Sequence, residues 1–175
     1  MPFDHLWAAW RSAYVGRATD SRTVEVGGAV DGRSLFERIL AEAGPDGDPE
    51  SGVLRRGRTC FALLNRFPYT SGHLMVLPQR AVAELGDLSD DEHGELWAMV
   101  RDAVGALRVG FRCDGVNVGL NLGPAAGGSQ SDHLHVHCVP RWAGDANFVS
   151  VTAETRVLPV GLDEAWARLR AAWPA

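Results

Sequence analysis

The side chains best suited to chemistry lie in residues 133–139, where His133, His135 and His137 alternate with apolar residues. Half of the six histidines of the chain stand here. Strict alternation is typical of a β-strand, so we predict a strand over 133–139 with the imidazoles on one face and the apolar residues on the other. Side chains on one face of a strand lie roughly 6–7 Å apart. The pattern therefore predicts three aligned imidazoles above a buried apolar face.

Three aligned imidazoles allow two kinds of chemistry. The first is metal binding, because neutral imidazole is a common metal ligand. Strand-borne metal sites usually add an acidic residue after the histidines, whereas Asp132 precedes them. The second is nucleophilic catalysis, in which a neutral imidazole nitrogen attacks phosphorus and carries the transferred group. A polar strand face with no chemistry is the third reading, and the residues alone leave all three open.

A glycine-rich loop over residues 123–130 runs directly into the histidines. Glycines let backbone N–H groups approach a phosphate closely, and Ser129 and Gln130 add side-chain donors. Phosphoryl transfer needs such donors for the non-bridging and leaving oxygens. The loop and the histidines together favour chemistry on a phosphate.

Composition excludes several classes of function. With 46% hydrophobic and 22% charged residues, the 175-residue chain has the composition of a soluble globular protein. All 17 basic residues are arginine, which excludes Schiff-base and P-loop lysine chemistry. A net charge of −5 argues against general nucleic-acid binding. The absence of a signal peptide, of a membrane-length apolar run and of a cysteine framework predicts a cytoplasmic protein with no membrane partner and reduced thiols.

The chain order predicts an α+β fold with an antiparallel sheet, because strands come before and after one long helix without βα alternation. The predicted strands are 53–54, 59–65, 73–78, 115–122 and 133–139. The predicted helices are 3–18, 34–43, 89–109 and 162–173. Ser89 and Glu92 have the spacing of a capping box at the start of the long helix. We expect one domain over 1–175, with a core at 53–148, a helical extension at 1–52 and a C-terminal extension at 149–175.

The motif at 133–139 resembles the signature of the histidine-triad (HIT) family. Residues 64–78 resemble the nucleoside-binding strand pair of that family, and Asn121 with the 123–130 loop resembles its phosphate side. Residues 133–148 are particularly similar to the bacterial branch that includes diadenosine tetraphosphate phosphorylases. The resemblance covers about residues 53–148, and the terminal extensions are also similar to that branch.

The resemblance implies an enzyme that hydrolyses or transfers a nucleotidyl group at the α-phosphate of a dinucleoside polyphosphate or nucleotide conjugate. His135 would be the nucleophile, oriented by a backbone carbonyl, with His133 and His137 beside it. Asn65 would contact the ribose, and His73 would lie next to the triad. Other residues would contact the phosphates or the leaving group. Those residues are Asn121, Gly128, Ser129, Gln130 and, unless it pairs with Asp145, Arg141. A homodimer formed through the 89–109 helix and the edge of the histidine strand is also implied.

One stretch departs from the resemblance. Many bacterial members carry a zinc-binding Cys-x-x-Cys where this chain has Ser34 and Glu37, and serine is a poor zinc ligand. We therefore predict no metal and no cofactor. A metal-dependent hydrolase and a non-catalytic nucleotide-binding protein remain the alternative functions. The sequence does not decide between a hydrolase and a phosphorylase, because the same triad serves both.

Overall fold

A computed structural model describes residues 32–126, 130–145 and 158–174. Its helices are α1 (Leu35–Glu42), α2 (Asp90–Phe111) and α3 (Leu162–Ala172). Its strands are β1 (Val53–Arg56), β2 (Cys60–Leu64), β3 (Leu74–Pro78), β4 (Gly115–Leu120) and β5 (Val136–Arg141). The predicted α+β class is confirmed. The predicted N-terminal helix at 3–18 lies outside the described residues.

The five strands form one antiparallel sheet in the order β1-β2-β3-β5-β4. The histidine strand β5 therefore lies inside the sheet, between β3 and β4. The expectation that its edge is available for dimerisation is wrong, because the glycine-containing strand β4 pairs with it along its whole length and takes the outer position.

Strands β1, β2 and β3 each contribute to two separate cores, because their side chains alternate between the faces of the sheet. In β2, Cys60, Ala62 and Leu64 face the larger core beneath α2 and α3, whereas Phe61 and Leu63 face a smaller core with α1. The long helix buries its apolar stripe, including Leu96, against the larger core. The sheet is thus covered by α2 and α3 on one face, while α1 covers part of the other.

Capping boxes fix where α1 and α2 begin. The predicted box of Ser89 and Glu92 is confirmed: the hydroxyl accepts the Glu92 N–H at 3.3 Å and the carboxylate accepts the Ser89 N–H at 2.8 Å. Ser34 and Glu37 form a second box at α1, with distances of 3.2 and 2.8 Å. Each box satisfies backbone donors that a helix N-terminus leaves without partners.

No helix in the described part of the chain has the length and apolar character needed to span a membrane. The three cysteines are free thiols, two of them buried in the larger core. Burial raises the pKa of Cys138 to about 12, so this thiol beside the histidines is protonated and not a competing nucleophile.

Candidate active site

The histidine motif begins before the strand that carries its last part. The predicted strand over 133–139 is wrong at both ends, since β5 starts at Val136 and continues to Arg141. The reason lies in hydrogen bonding: Leu134 N–H donates to the Val82 carbonyl at 2.6 Å, beyond the end of β3. The alternation of faces nevertheless holds, with Leu134, Val136 and Cys138 all in the larger core.

His135 is held in one tautomer by its own chain. Its Nδ1 lies 2.8 Å from the carbonyl oxygen of His133, and a carbonyl can only accept, so Nδ1 carries the proton. Nε2 is then the nitrogen with the lone pair. The imidazole is 7% exposed and lies 4.8 Å, centroid to centroid, from the ring of His137. This is the state that a nucleophilic imidazole requires.

His73 and His137 form a hydrogen-bonded pair from neighbouring strands. Met75 faces His137 in the β3–β5 register, and His73, two residues earlier on the same face, reaches Nδ1 of His137 through Nε2 at 3.1 Å. Tyr69 N–H donates to Nδ1 of His73 at 3.1 Å, so the proton of a neutral His73 lies on Nε2 and is donated to His137. The predicted association of His73 with the triad is thus present, and His73 is fully buried.

His133 precedes the strand that carries His137. It is fully buried, and its two ring nitrogens contact other segments: Nδ1 lies 2.7 Å from the Ser34 hydroxyl and Nε2 lies 2.9 Å from the Pro78 carbonyl. Its ring packs edge-on against Phe36 of α1 at 5.4 Å.

Burial keeps the imidazoles of the motif neutral. Loss of solvation lowers the pKa of His133 and of His135 below the ordinary value. Burial and then the nearby His135 lower the pKa of His137 to about 4. Neutral imidazole is the nucleophilic and hydrogen-bond-accepting form, so all three residues are in the required state at neutral pH.

Several of the predicted binding residues border this cluster. The side-chain amide of Asn121 lies 3.4 Å from Nε2 of His137, and Gln130 is buried at the start of the motif. Asn65 accepts the Phe67 N–H at 2.9 Å and reaches Nδ1 of His73 at 3.3 Å, so it caps a turn as well as lying next to the site. Gly128 and Ser129 lie outside the described residues.

Of the two alternatives predicted for Arg141, a phosphate contact or an ion pair with Asp145, the structure shows the ion pair. Its guanidinium binds Asp145 with distances of 2.5 and 2.7 Å and also donates to Asn117 at 2.9 Å. Four residues of strand, roughly 13 Å, separate it from His137. A phosphate contact by Arg141 would therefore have to compete with Asp145.

The residues that replace the expected zinc ligands do not fit a zinc ion. Ser34 is neutral and already caps α1, and both carboxylate oxygens of Glu37 accept backbone N–H groups, from Ser34 and from Ala81. Zinc sites require thiolates, free imidazole nitrogens or free carboxylates. Within the ranges that the structure describes, no group of three or more histidines, cysteines and acids is arranged to hold a metal.

Sequence reasoning missed three contributors to the site. Phe36 packs against the rings of His133 and His135, and Tyr69 packs against those of His73 and His137, 4.6 and 5.9 Å away. The sequence indicates Ser34 only as the residue that replaces a zinc-binding cysteine. The Ser34-x-x-Glu37 spacing of a capping box was available as a signal for the start of α1, but nothing in the sequence shows that this start contacts His133.

Comparisons with known proteins identify the family of the chain. The model of the HIT domain family matches residues 48–144. An AP-4-A phosphorylase of Mycobacterium tuberculosis is 40% identical over 168 residues, which are 96% of this chain and 83% of the relative. A bis(5'-nucleosyl)-tetraphosphatase [asymmetrical] of Schizosaccharomyces pombe is 36% identical over 95 residues, covering 54% of this chain and 52% of the relative.

A solved structure has the same fold. A zinc-bound histidine triad family protein from Mycobacterium smegmatis superposes with a TM-score of 0.63 at 27% identity, covering 79% of this chain and 91% of its own. The family match and the relative that spans nearly the whole chain both indicate the HIT domain family, which the histidine motif also indicates. The chain therefore belongs to the HIT domain family, in the branch resembling the AP-4-A phosphorylases, and is a HIT-type enzyme.

Proposed function

We propose that the chain cleaves dinucleoside polyphosphates at an α-phosphate through a covalent nucleotidyl group on His135. The observation that carries the proposal is the tautomer of His135: its Nδ1–H is donated to the His133 carbonyl at 2.8 Å, which leaves the lone pair on Nε2. Two of the similar proteins, an AP-4-A phosphorylase and a bis(5'-nucleosyl)-tetraphosphatase, support this substrate class.

The proposed reaction has two displacement steps. Nε2 of His135 attacks the α-phosphorus, the N–P bond forms, and the bond from phosphorus to the bridging oxygen breaks with its electron pair moving to the leaving polyphosphate. With diadenosine tetraphosphate the leaving group is ATP and adenylate stays on His135. Phosphate or water then attacks the same phosphorus and frees the imidazole, which yields ADP or AMP respectively.

His137 is proposed to serve the phosphoryl oxygens and the proton transfer. His73 donates to Nδ1 of His137, so the proton of neutral His137 lies on Nε2. A donor at this position stabilises charge on a non-bridging or leaving oxygen. The predicted phosphate contacts of Gly128, Ser129 and Gln130 and the predicted ribose contact of Asn65 complete the proposal.

Product analysis tests the activity. The protein is incubated with diadenosine tetraphosphate with and without inorganic phosphate, and the nucleotides are separated. ATP with ADP that requires phosphate indicates phosphorolysis, and ATP with AMP in both conditions indicates hydrolysis. Absence of turnover would contradict the proposal and favour a nucleotide-binding protein.

The nucleophile is tested by comparing His135→Ala with His93→Ala. His93 is an exposed histidine on α2, so its removal controls for the loss of an imidazole as such. We expect His135→Ala to lose activity by more than about 10³-fold and His93→Ala to keep it. Denaturation in alkali, in which the N–P bond of a phosphoramidate survives, followed by mass spectrometry should find an adenylate on the parent peptide that carries His135, and an active His135→Ala variant would rule out the mechanism.

A metal-dependent mechanism makes a different prediction. Dialysis against a chelator should leave the activity unchanged under our proposal, and restoration of lost activity by added zinc would favour the metal-dependent alternative.

We also propose that two copies of the chain pair along β4. This strand forms an outer edge of the sheet, and Val118 on it is 41% exposed. Strand edges are templates for pairing with another chain. Sedimentation should give a dimer mass for the parent and a monomer mass for Val118→Arg; a monomeric parent would contradict this part of the proposal.

A further inference from the structure

The start of α1 contacts the histidine motif through one buried hydroxyl. Ser34 is 2% exposed, and its Oγ lies 2.7 Å from Nδ1 of His133. The other nitrogen of that ring, Nε2, lies 2.9 Å from the Pro78 carbonyl, which can only accept. Since burial keeps this imidazole neutral, its proton is on Nε2, and the Ser34 hydroxyl is the donor to Nδ1.

The hydroxyl is itself held in place by the capping box. Its oxygen accepts the N–H of Glu37 at 3.2 Å, and the Glu37 carboxylate accepts the N–H groups of Ser34 and Ala81 at 2.8 and 3.1 Å. The oxygen therefore uses a lone pair toward the helix and its proton toward His133. One turn of α1 is thus connected both to the segment after β3 and to the histidine motif.

The peptide between His133 and Leu134 determines the tautomer of His135. Its carbonyl oxygen accepts from Nδ1 of His135 at 2.8 Å, and its N–H donates to Val82 at 2.6 Å. The side chain that precedes this peptide is fixed at both ring nitrogens, by Ser34 and by Pro78. Rotation of the His133 ring or of this peptide would move the acceptor away from His135.

We propose that Ser34 is a positioning residue for His135: by fixing His133 from the first turn of α1, it keeps the carbonyl that holds His135 in its Nε2-nucleophilic tautomer. The inference deepens the proposed function and rests on it for its kinetic consequence. The tautomer itself is a property of the free protein and does not require turnover. Ser34 touches neither substrate nor the reacting atoms and acts only through His133.

The kinetic test uses the second capping box as a matched control. Ser34→Ala and Ser89→Ala each remove the hydroxyl of a capping box, but among the described residues only the Ser34 hydroxyl contacts a histidine. We expect Ser34→Ala to lower kcat for diadenosine tetraphosphate about tenfold with KM within about twofold, the effect of losing one hydrogen bond. Ser89→Ala should keep the parental kcat, and Ser34→Thr, which retains a hydroxyl, should recover most of the loss.

The structural test measures the tautomer directly. Nitrogen-15 chemical shifts of the imidazoles at pH 7 should place the proton of His135 on Nδ1 in the parent and in Ser89→Ala. In Ser34→Ala the shifts should show the proton exchanging between Nδ1 and Nε2. If Ser34→Ala does not fold, Ser34→Gly serves in its place, because helix N-caps tolerate glycine better than alanine.

The outcomes separate the two proposals. An unchanged His135 tautomer in Ser34→Ala, or in Ser34→Gly where that variant replaces it, would overturn the role of Ser34, as would an equal loss of kcat in Ser89→Ala. A parent protein without turnover, but with the tautomer change in Ser34→Ala, would refute the proposed function while supporting the positioning role.

Discussion

Acidification should destabilise the fold through His137 before any carboxylate is affected. The pKa of this imidazole is about 4 in the folded protein against 6.5 ordinarily, because it is partly buried and lies beside His135. Below pH 6.5 this imidazole binds a proton in the unfolded chain but stays neutral in the folded chain, so the free energy of unfolding falls as the pH falls. Between pH 7.5 and pH 5 this amounts to about 2 kcal/mol, or about 1–2 kcal/mol after partial solvent screening.

The window between pH 5 and 6.5 isolates the histidines. Glu92 and Asp145 have folded pKa values of about 2, held down by Arg80 and Arg141, and their contributions are lost only when the pH falls below the ordinary carboxyl values. The pKa values of His133 and His135 are also lowered, so their contributions have the same sign. A variant is therefore needed to assign the effect to His137.

The assay is urea unfolding of the parent and of His137→Gln at half-unit steps from pH 5 to 7.5. Glutamine does not titrate and still offers an oxygen to the Nε2–H of His73. We expect the free energy of unfolding to fall less in the variant than in the parent as the pH is lowered. Between pH 7.5 and pH 5 the loss should be smaller in the variant by about 1–2 kcal/mol. Parallel curves would refute the reasoning.

Three further predictions follow from individual contacts. Gly72→Ala should lower the free energy of unfolding by about 2–4 kcal/mol in urea, because φ is +86° and a Cβ would lie 2.7 Å from the ring of Phe111; an unchanged midpoint would contradict this. Arg56→Met should cost about 1–3 kcal/mol, measured the same way, since its guanidinium donates to the carbonyls of Leu40, Ala43 and Gly44 at the end of α1. The acid limb of kcat/KM should lie below pH 6.5, because burial lowers the pKa of His135; a midpoint above 6.5 would contradict a neutral buried nucleophile.

The sequence predicted the elements well where local rules decide them. Alternation gave the correct faces of the strands, and the Ser89-x-x-Glu92 spacing gave the start of α2 within one residue. The end of α2 was predicted at residue 109 but lies at Phe111, because this side chain is buried in the larger core and Arg112 ends the helix in the left-handed conformation with φ 48°. Tertiary packing, which periodicity does not report, decided that boundary.

The sequence predicts which residues form the site but not the contacts between them. Periodicity identifies which side chains share a face, yet the pairing of His73 with His137 depends on the register between β3 and β5. The environment of His133 depends on hydrogen bonds to Ser34 and Pro78, which lie far from it in the sequence. Long-range partners of this kind leave no local pattern, so the alternation predicts three aligned imidazoles but not the different environments that the structure gives them.

The hydrogen bonds of the site join residues that are far apart along the chain. Ser34 and His133 are 99 positions apart, His73 and His137 are 64 apart, and Pro78 and His133 are 55 apart. Closing such long loops costs conformational entropy, and contacts within local structure do not offset that cost. Contacts of this kind therefore form late in folding. During refolding, helix formation should therefore precede the histidine environment, and activity should return only with the slowest phase that completes the sheet.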